Sequence, residues 1–568
     1  MGRPDCTTGV RLVNSALLLL IWLLPLLLAT LARQQYARWL LPLAAIPALL
    51  AVVALPAGTA VSLPWLLLGS ELGIDETGRV FLGFSSLLWL LAAVYIAGSP
   101  DTNVDSGRFR VFFLFAMAGN LGLIVAQDMV SFYFGFALMG LSAFGLIAHS
   151  LTRRARRAAR TYLAWTIAGE LMLFTAIVLL ATSSGGALTF DAIEDIPRSP
   201  LIILLLIAGF GIKLALPLLH WWLPPAYAVT PVAAVAVFSG VMIKAGLLGW
   251  LRFLPPGDTI PAGWGTLLIL IGAGAIFFGV IAGLRQQRPR LLLGYSSISK
   301  MGVLTSGVGA ALAFPSAAPG IITALLIYAT HHALVKTALF LGLGLVERSG
   351  LQLPLLFGLG FLAFVLAGAP LTSGALAKSA LSGSLSPSVP VLVTLLAIST
   401  LGTTLLMVRF MFLLSTRRRR KIMPLPALPV SAWLCLVVVI TVLPFVLTDI
   451  DRLMINVIPV SLGLLLGTAV LLLGSGLYPY LIGPRKRAHA RTLPLRMRAA
   501  SSHALQALRT SNDLRLTAWA LADTAYKRKS AAWLTWLQHH TDTARRPLTG
   551  ALWLGIGGWL LSVFISTT

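Results

Sequence analysis

The chain is written in long apolar runs separated by short polar ones. Stretches of about 20 apolar residues recur from end to end, among them 10–31, 201–219, 267–284 and 430–447. Each is long enough to cross a hydrocarbon core ~30 Å thick as a helix. The pattern predicts about 15–16 membrane spans, at 10–32, 39–57, 79–98, 108–127, 129–149, 161–182, 200–222, 227–252, 263–284, 290–313, 319–345, 354–380, 389–415, 426–448, 456–482 and 548–566. The first run is longer than the apolar core of a signal peptide, and no small-residue cleavage site follows it, so it reads as a retained first helix. The expected fold is an all-α integral membrane protein.

One segment departs from this pattern. Residues 484–547, bracketed by Pro484 and Pro547, favour helix but are too polar to span. They mix Leu505, Trp519, Trp533 and Trp536 with Arg509, Arg515, Lys527 and Arg528. Tryptophan on one face and basic residues on the other predict an amphipathic helix along the membrane surface. A plain cytoplasmic linker or hairpin is the other reading.

Composition agrees with a membrane protein. The chain is 58% hydrophobic and 11% charged, where a soluble domain carries about 25% charged residues. A net charge of +25 would suit nucleic acid if it were spread over a soluble face. Instead it collects in alternate connections: Arg153, Arg154, Arg156, Arg157 and Arg160; Arg285, Arg288 and Arg290; Arg417–Lys421; and the segment 485–546. The opposite loops hold Glu71, Asp75 and Glu76, then Asp191, Glu194 and Asp195, then Asp449 and Asp451. The excess of positive charge on cytoplasmic loops predicts basic loops inside and the N-terminus outside, in a cell's inner membrane. No nucleic-acid partner is expected; contact with lipid is.

Two cysteines, Cys6 and Cys435, cannot hold an iron–sulfur cluster, which takes about four thiolates. The sequence has no glycine-rich phosphate loop, HExxH or paired CxxC, so no cofactor and no metal are expected. The chain offers no catalytic centre of its own, and any redox chemistry would belong to an assembly.

The candidate chemistry lies in charges at membrane depth. Lys213, Lys244, Lys300, Lys336 and Lys378 sit inside spans, Lys300 nearer a helix end, and only one carboxylate, Glu170, is comparably deep. A charge at the bilayer centre costs at least ~2.5–3.5 kcal/mol, and its default meaning is an ion path. Burial penalises a charged amine, so lysines out of water can exchange protons. His220, His331 and His332 add titrating groups at similar depth. Each lysine alone could snorkel to an interface, and each histidine alone could be a packing residue. Adjacent His331 and His332 point about 100° apart on a helix, a poor metal pair. Pro217 follows Lys213, and Pro370, with Gly368 and Gly374, precedes Lys378. Such helix breaks are tolerated at membrane depth where they line a polar cavity. The breaks fall five spans apart, which predicts two inverted five-helix repeats.

At these residues the chain resembles a known family. The stretch 211–253, with Lys213, Pro217, His220, Trp222, Pro224 and Ser239–Lys244, is similar to the central signature of antiporter-like membrane subunits. These occur in respiratory complex I, multisubunit sodium/proton antiporters and membrane-bound hydrogenases. Tyr295–Ile298, His332–Lys336 and Gly368–Lys378 match as well, and so does the loop Leu63–Arg79. The resemblance covers about residues 60–415.

The resemblance implies proton translocation coupled to redox chemistry in partner subunits, both other membrane subunits and peripheral redox ones. It implies that Lys213 and Lys244 form a first half-channel, Lys336 a central connection and Lys378 an exit-side group. It divides the chain into N-terminal helices and an external loop (1–107), a first repeat (108–253), a second repeat (263–415), additional helices (426–482), a basic surface segment (483–547) and a final span (548–568). Two family features are altered. The span-five glutamate is replaced by Ala137, and the acid after Trp-Leu-Pro by Pro225. Glu170 in span six is the candidate substitute. The alternative is a chain without pumping: a membrane anchor, or a proton-driven partner in uptake of a solute such as inorganic carbon.

Overall fold

The computed structural model describes residues 6–34, 36–99, 106–416, 422–447, 460 and 462–467. Apart from Val460 and 462–467, the expected span 456–482 lies outside the described residues. So do the surface segment 483–547, the last span 548–566, Arg417–Lys421, Asp449 and Asp451.

Nineteen α-helices are described. α1 (Cys6–Leu31) is followed by α2 (Ala37–Leu40), a 3-10 turn (Leu41–Ala45) and α3 (Ile46–Ala54), which together make one crossing. After a hairpin come α4 (Glu76–Ala97), α5 (Gly107–Val125), α6 (Met129–Ala148), α7 (Arg153–Ser183) and the single-turn α8 (Phe190–Ile193). The next two crossings are interrupted: α9 (Pro200–Lys213) with α10 (Leu223–Val229), then α11 (Val232–Gly240), a 3-10 turn (Met242–Lys244) and α12 (Ala245–Phe253). α13 (Ala262–Leu284), α14 (Pro289–Ala313) and α15 (Ala318–Ser349) are continuous. α16 (Leu353–Ala367) and α17 (Ser373–Leu385) again share one crossing, before α18 (Pro390–Ser415) and α19 (Ala427–Leu447). Eleven crossings among the described residues are long and apolar enough to span a membrane. The predicted spans from 10–32 to 426–448 each fall on a helix or a helix pair, and the protein is a multi-pass, all-α membrane protein.

Helix starts are chemically marked. The side chains of Asp75, Ser106, Asp128, Thr152, Ser199 and Thr372 each accept a hydrogen bond from a main-chain N–H in the first turn of α4, α5, α6, α7, α9 and α17. In a medium without water these caps satisfy donors that would otherwise be orphaned.

The segment expected as a plain loop between the second and third crossings is an antiparallel hairpin. β1 (Thr59–Leu63) pairs with β2 (Ser70–Ile74), Thr59 opposite Ile74 and Leu63 opposite Ser70. Tertiary contacts hold it in place: Glu71 N donates to Asp128 Oδ2 at 2.9 Å, and Gln127 N to Glu71 O at 2.8 Å. Arg252 Nη2 donates to Asp75 Oδ1 and to Ile124 O, both at 2.8 Å.

Close helix packing is set by small residues. A Cβ added at Gly265, Gly272 or Gly279 of α13 would come within 2.5 Å of α14, at Gly309 O, Ser306 Oγ and Ser299 N respectively. Seven-residue spacing puts these glycines on one face, and small residues let membrane helices approach where no hydrophobic drive exists between them. The most enclosed crossing is Val232–Phe253, with 94% of its apolar window buried, against 28% for Ala427–Leu447. It carries Lys244.

Candidate functional site

The interrupted helices supply the polar groups. α9 stops at Lys213, and the chain runs irregularly to α10. Pro217 lacks an N–H and cannot continue a helix. Leu218 after it takes a left-handed φ of 71°. The second break has the same construction: Pro370 is followed by Leu371 at φ 61°, and Gly368 ends α16 at φ 83°. A leucine in this region is strained and persists only where its surroundings fix it. In the first break Trp222 Nε1 donates to Ile212 O at 2.7 Å. In the second, Lys378 Nζ donates to Ala367 O. A third interruption, the 3-10 turn ending at Lys244, has no proline and was not legible in the sequence.

Lys213 of α9 and Glu170 of α7 are buried on adjacent helices, both beside α6. Lys213 is 6% exposed and Glu170 7%. Lys213 Nζ lies 3.4 Å from Tyr162 Oη, which donates to Gly140 O at 3.1 Å. The Lys213 ammonium also sits over the Phe136 ring, 5.3 Å from its centroid. Glu170 Oε1 is buried without a hydrogen-bond partner. It packs where only glycine leaves room: a Cβ on Gly140 would stand 2.5 Å from it. The two charges are close enough to act on each other. A small pocket at Lys213, of about 10 Å³ and so with room for about one water, is lined by Tyr162, Thr166, Gly169, Gly209, Lys213 and Trp222, among others. The carboxylate of α7 therefore abuts α6 at Gly140, one turn after half-buried Ala137.

Lys244 and Lys336 are linked through two serines. Both are fully buried. Lys244 Nζ donates to Ser239 O at 2.9 Å. The Ser239 and Ser297 hydroxyls are 3.0 Å apart, and Ser297 Oγ donates to Leu293 O at 3.1 Å. Lys336 Nζ donates to that same carbonyl at 2.8 Å. The chain of contacts thus joins α11, α14 and α15.

Lys300 and Lys378 both address α18. Lys300, expected nearer a helix end, is 1% exposed in the middle of α14. Its Nζ donates to Thr403 Oγ1 and lies 3.4 Å from Ser399 Oγ. Lys378 Nζ donates to Thr400 Oγ1 at 2.8 Å. Ser399, Thr400, Thr403 and Thr404 form a hydroxyl stripe, all buried, at three- and four-residue spacing on a mostly apolar helix. Sequence reading passed over this stripe, although its periodicity is visible.

The histidines divide. His332 is fully buried with both ring nitrogens unpartnered, in electrostatic reach of Lys244, Lys336 and Lys300. His331 Nδ1 lies 3.0 Å from Ser373 Oγ, at the start of α17. His220 turns away from the Lys213 cavity. Its ring packs on Trp221, Phe278 and Tyr295, and its Nδ1 has no partner.

The hydrogen-bond acceptors of Lys244, Lys300, Lys336 and Lys378 are all neutral oxygens. A neutral amine can also donate to such oxygens, though more weakly than an ammonium, so either protonation state fits the geometry. Several uncompensated charges together out of water would be costly. The arrangement suits the gain and loss of protons better than permanent ion pairing.

Comparison with known proteins agrees with this architecture. Residues 126–405 match the family model "NADH:quinone oxidoreductase/Mrp antiporter, TM". Hydrogenase-4 component B of Escherichia coli is 31% identical over 252 residues, 42% of this chain and 37% of that protein. NADH-quinone oxidoreductase subunit N of Desulforudis audaxviator is 32% identical over 300 residues, 49% of this chain and 56% of that protein. The chain thus spans roughly a third to a half of the length of these relatives. Among solved structures, the Mrp complex from Dietzia sp. DQ12-45-1b superposes with a TM-score of 0.70 and 22% identity, covering 92% of this chain and 63% of that one, a likeness of fold. Residues 126–405, just under half of the chain, are thus a match to the membrane region of the NADH:quinone oxidoreductase/Mrp antiporter family.

Proposed function

We propose that this antiporter-like subunit translocates protons within an energy-converting redox complex, with other membrane subunits and peripheral redox subunits as its partners. The observation that supports this most is the contact chain Lys244–Ser239–Ser297–Leu293–Lys336. It gathers two lysines and two serine hydroxyls around shared main-chain carbonyls in the most enclosed part of the protein, where a structural role would be served by apolar packing. In this reading Lys213 and Lys244 form the first half-channel, Lys336 with His332 the connection, and Lys300 with Lys378 the exit-side groups on the α18 hydroxyls. Glu170 takes the part of the missing span-five acid from the neighbouring helix, and His220 serves at the boundary with α13 and α14. The paired breaks at Pro217 and Pro370 support two five-helix repeats at 108–253 and 263–415. The basic loops face the cytoplasm, with the N-terminus outside.

The test is proton flux into liposomes holding the purified complex, comparing wild type with Glu170→Gln and Lys244→Ala. Loss of flux in both, with the complex still assembled, is the expected result. Unchanged flux in both would overturn the proposal and leave an anchoring subunit as the better reading.

A further inference from the structure

α7 is longer than a span. Its 31 residues extend ~46 Å at 1.5 Å per residue, against a hydrocarbon core of ~30 Å. The excess is at the N-terminal end, where Arg153, Arg154, Arg156, Arg157 and Arg160 are all exposed and, among the described residues, none pairs with an acid.

One stripe of this helix changes character along its length. Arg153, Arg157 and Arg160 are followed at three- and four-residue steps by Ala164, Ile167, Leu171, Phe174 and Val178. At 100° per residue these positions share one face. Ile167, Leu171, Phe174 and Val178 are between 43 and 61% exposed. The opposite face holds buried Ala155, Ala159, Tyr162, Thr166 and Leu173 against the bundle. Polar head and apolar tail are thus laid out in line on the outer surface.

We propose that this face binds an anionic phospholipid, its phosphate on Arg157 and Arg160 and its acyl chains along Ile167, Leu171 and Phe174. Two features select this occupant over an acidic protein surface. The cations are all arginine, whose planar fork grips phosphate bidentately. The apolar half continues them at the right depth for chains, which an acidic peptide would not use. Basic residues at a membrane surface are also drawn to anionic lipid, by about 1 kcal/mol each.

The experiment measures lipid bound to the purified, delipidated protein by native mass spectrometry, with phosphatidylglycerol, phosphatidylcholine and inorganic phosphate as probes. Wild type should retain phosphatidylglycerol at least tenfold better than phosphatidylcholine. Arg157→Gln/Arg160→Gln should remove most of that preference, while Arg285→Gln/Arg288→Gln, elsewhere on the surface, should leave it intact. Leu171→Ser/Phe174→Ser should weaken phosphatidylglycerol without creating a preference for phosphatidylcholine. Equal retention of phosphatidylglycerol by wild type and the Arg157/Arg160 variant would overturn the proposal. So would inorganic phosphate displacing the lipid at equal concentration, which would reduce the site to a bare anion patch. Because the readout is lipid retention, its failure is separable from a failure of proton flux.

Discussion

Lys336 Nζ and Ser297 Oγ donate to the same oxygen, the main-chain carbonyl of Leu293, at 2.8 and 3.1 Å. Ser297 also faces Ser239, whose carbonyl holds Lys244. A single side chain on α14 therefore completes the contact between two buried lysines on different helices. Ser297→Ala should leave the fold intact, because only one hydroxyl is lost and Leu293 O keeps Lys336. Proton flux should fall about tenfold if the link carries a step worth ~1.4 kcal/mol. Ser239→Ala should act alike, and the double variant should be little worse than either. Additive losses, measured in the same liposomes, would mean that the two serines serve separate paths.

Gly140 gives Glu170 its place. An added methyl would stand 2.5 Å from Oε1, so Gly140→Ala should push the carboxylate off α6 and lower flux in the manner of Glu170→Gln. Ala137, one turn earlier on α6, offers the opposite experiment. Ala137→Glu in the Glu170→Gln background should restore part of the flux by returning an acid to the neighbourhood of Lys213. Wild-type flux in Gly140→Ala would show that the seat of Glu170 is immaterial.

The α18 stripe predicts a graded series. Thr403→Val and Thr400→Val keep the side-chain shape and remove the hydroxyls that accept from Lys300 and Lys378. Lys378 keeps the Ala367 carbonyl, and Lys300 keeps only the longer contact to Ser399. Thr403→Val should therefore be the more damaging, by several-fold in flux, with a loss of about 1 kcal/mol in stability from one buried hydrogen bond. Equal effects of the two valines would contradict this ordering.

Stability should be most sensitive at the α13–α14 seam. Gly272→Leu places a branched side chain against Ser306 and the Gly302 carbonyl, where even a Cβ has no room. Overpacking of this kind costs about 1–3 kcal/mol, and thermal unfolding in detergent should shift down accordingly. Gly274→Leu, on the same helix but with open space around it, should leave the midpoint unchanged.

The sequence by itself determined the membrane class, the spans from 10–32 to 426–448, the buried lysines and the two proline breaks. These are local properties: hydropathy over a window the thickness of a bilayer, and a missing N–H at Pro217 and Pro370. A charge placed within such a window advertises itself because the surroundings make it expensive. The family resemblance was legible for the same reason, through residues clustered along short stretches of chain.

What the tertiary structure decided was which of those groups meet. Ser239 and Ser297 are 58 positions apart, and Lys300 finds Thr403 across 103; no period along either helix foretells such a pairing. The hairpin 59–74 pairs along its own strands, and its place is fixed by hydrogen bonds of Glu71 and Gln127 at the junction of α5 and α6. His220 looked equivalent to His332 in sequence, yet one turns toward Phe278 and the other sits among lysines. The seat of the Glu170 carboxylate was likewise open until helix packing set it against Gly140 of α6. Hydropathy fixes how deep a residue lies, and helix packing alone fixes which way it faces.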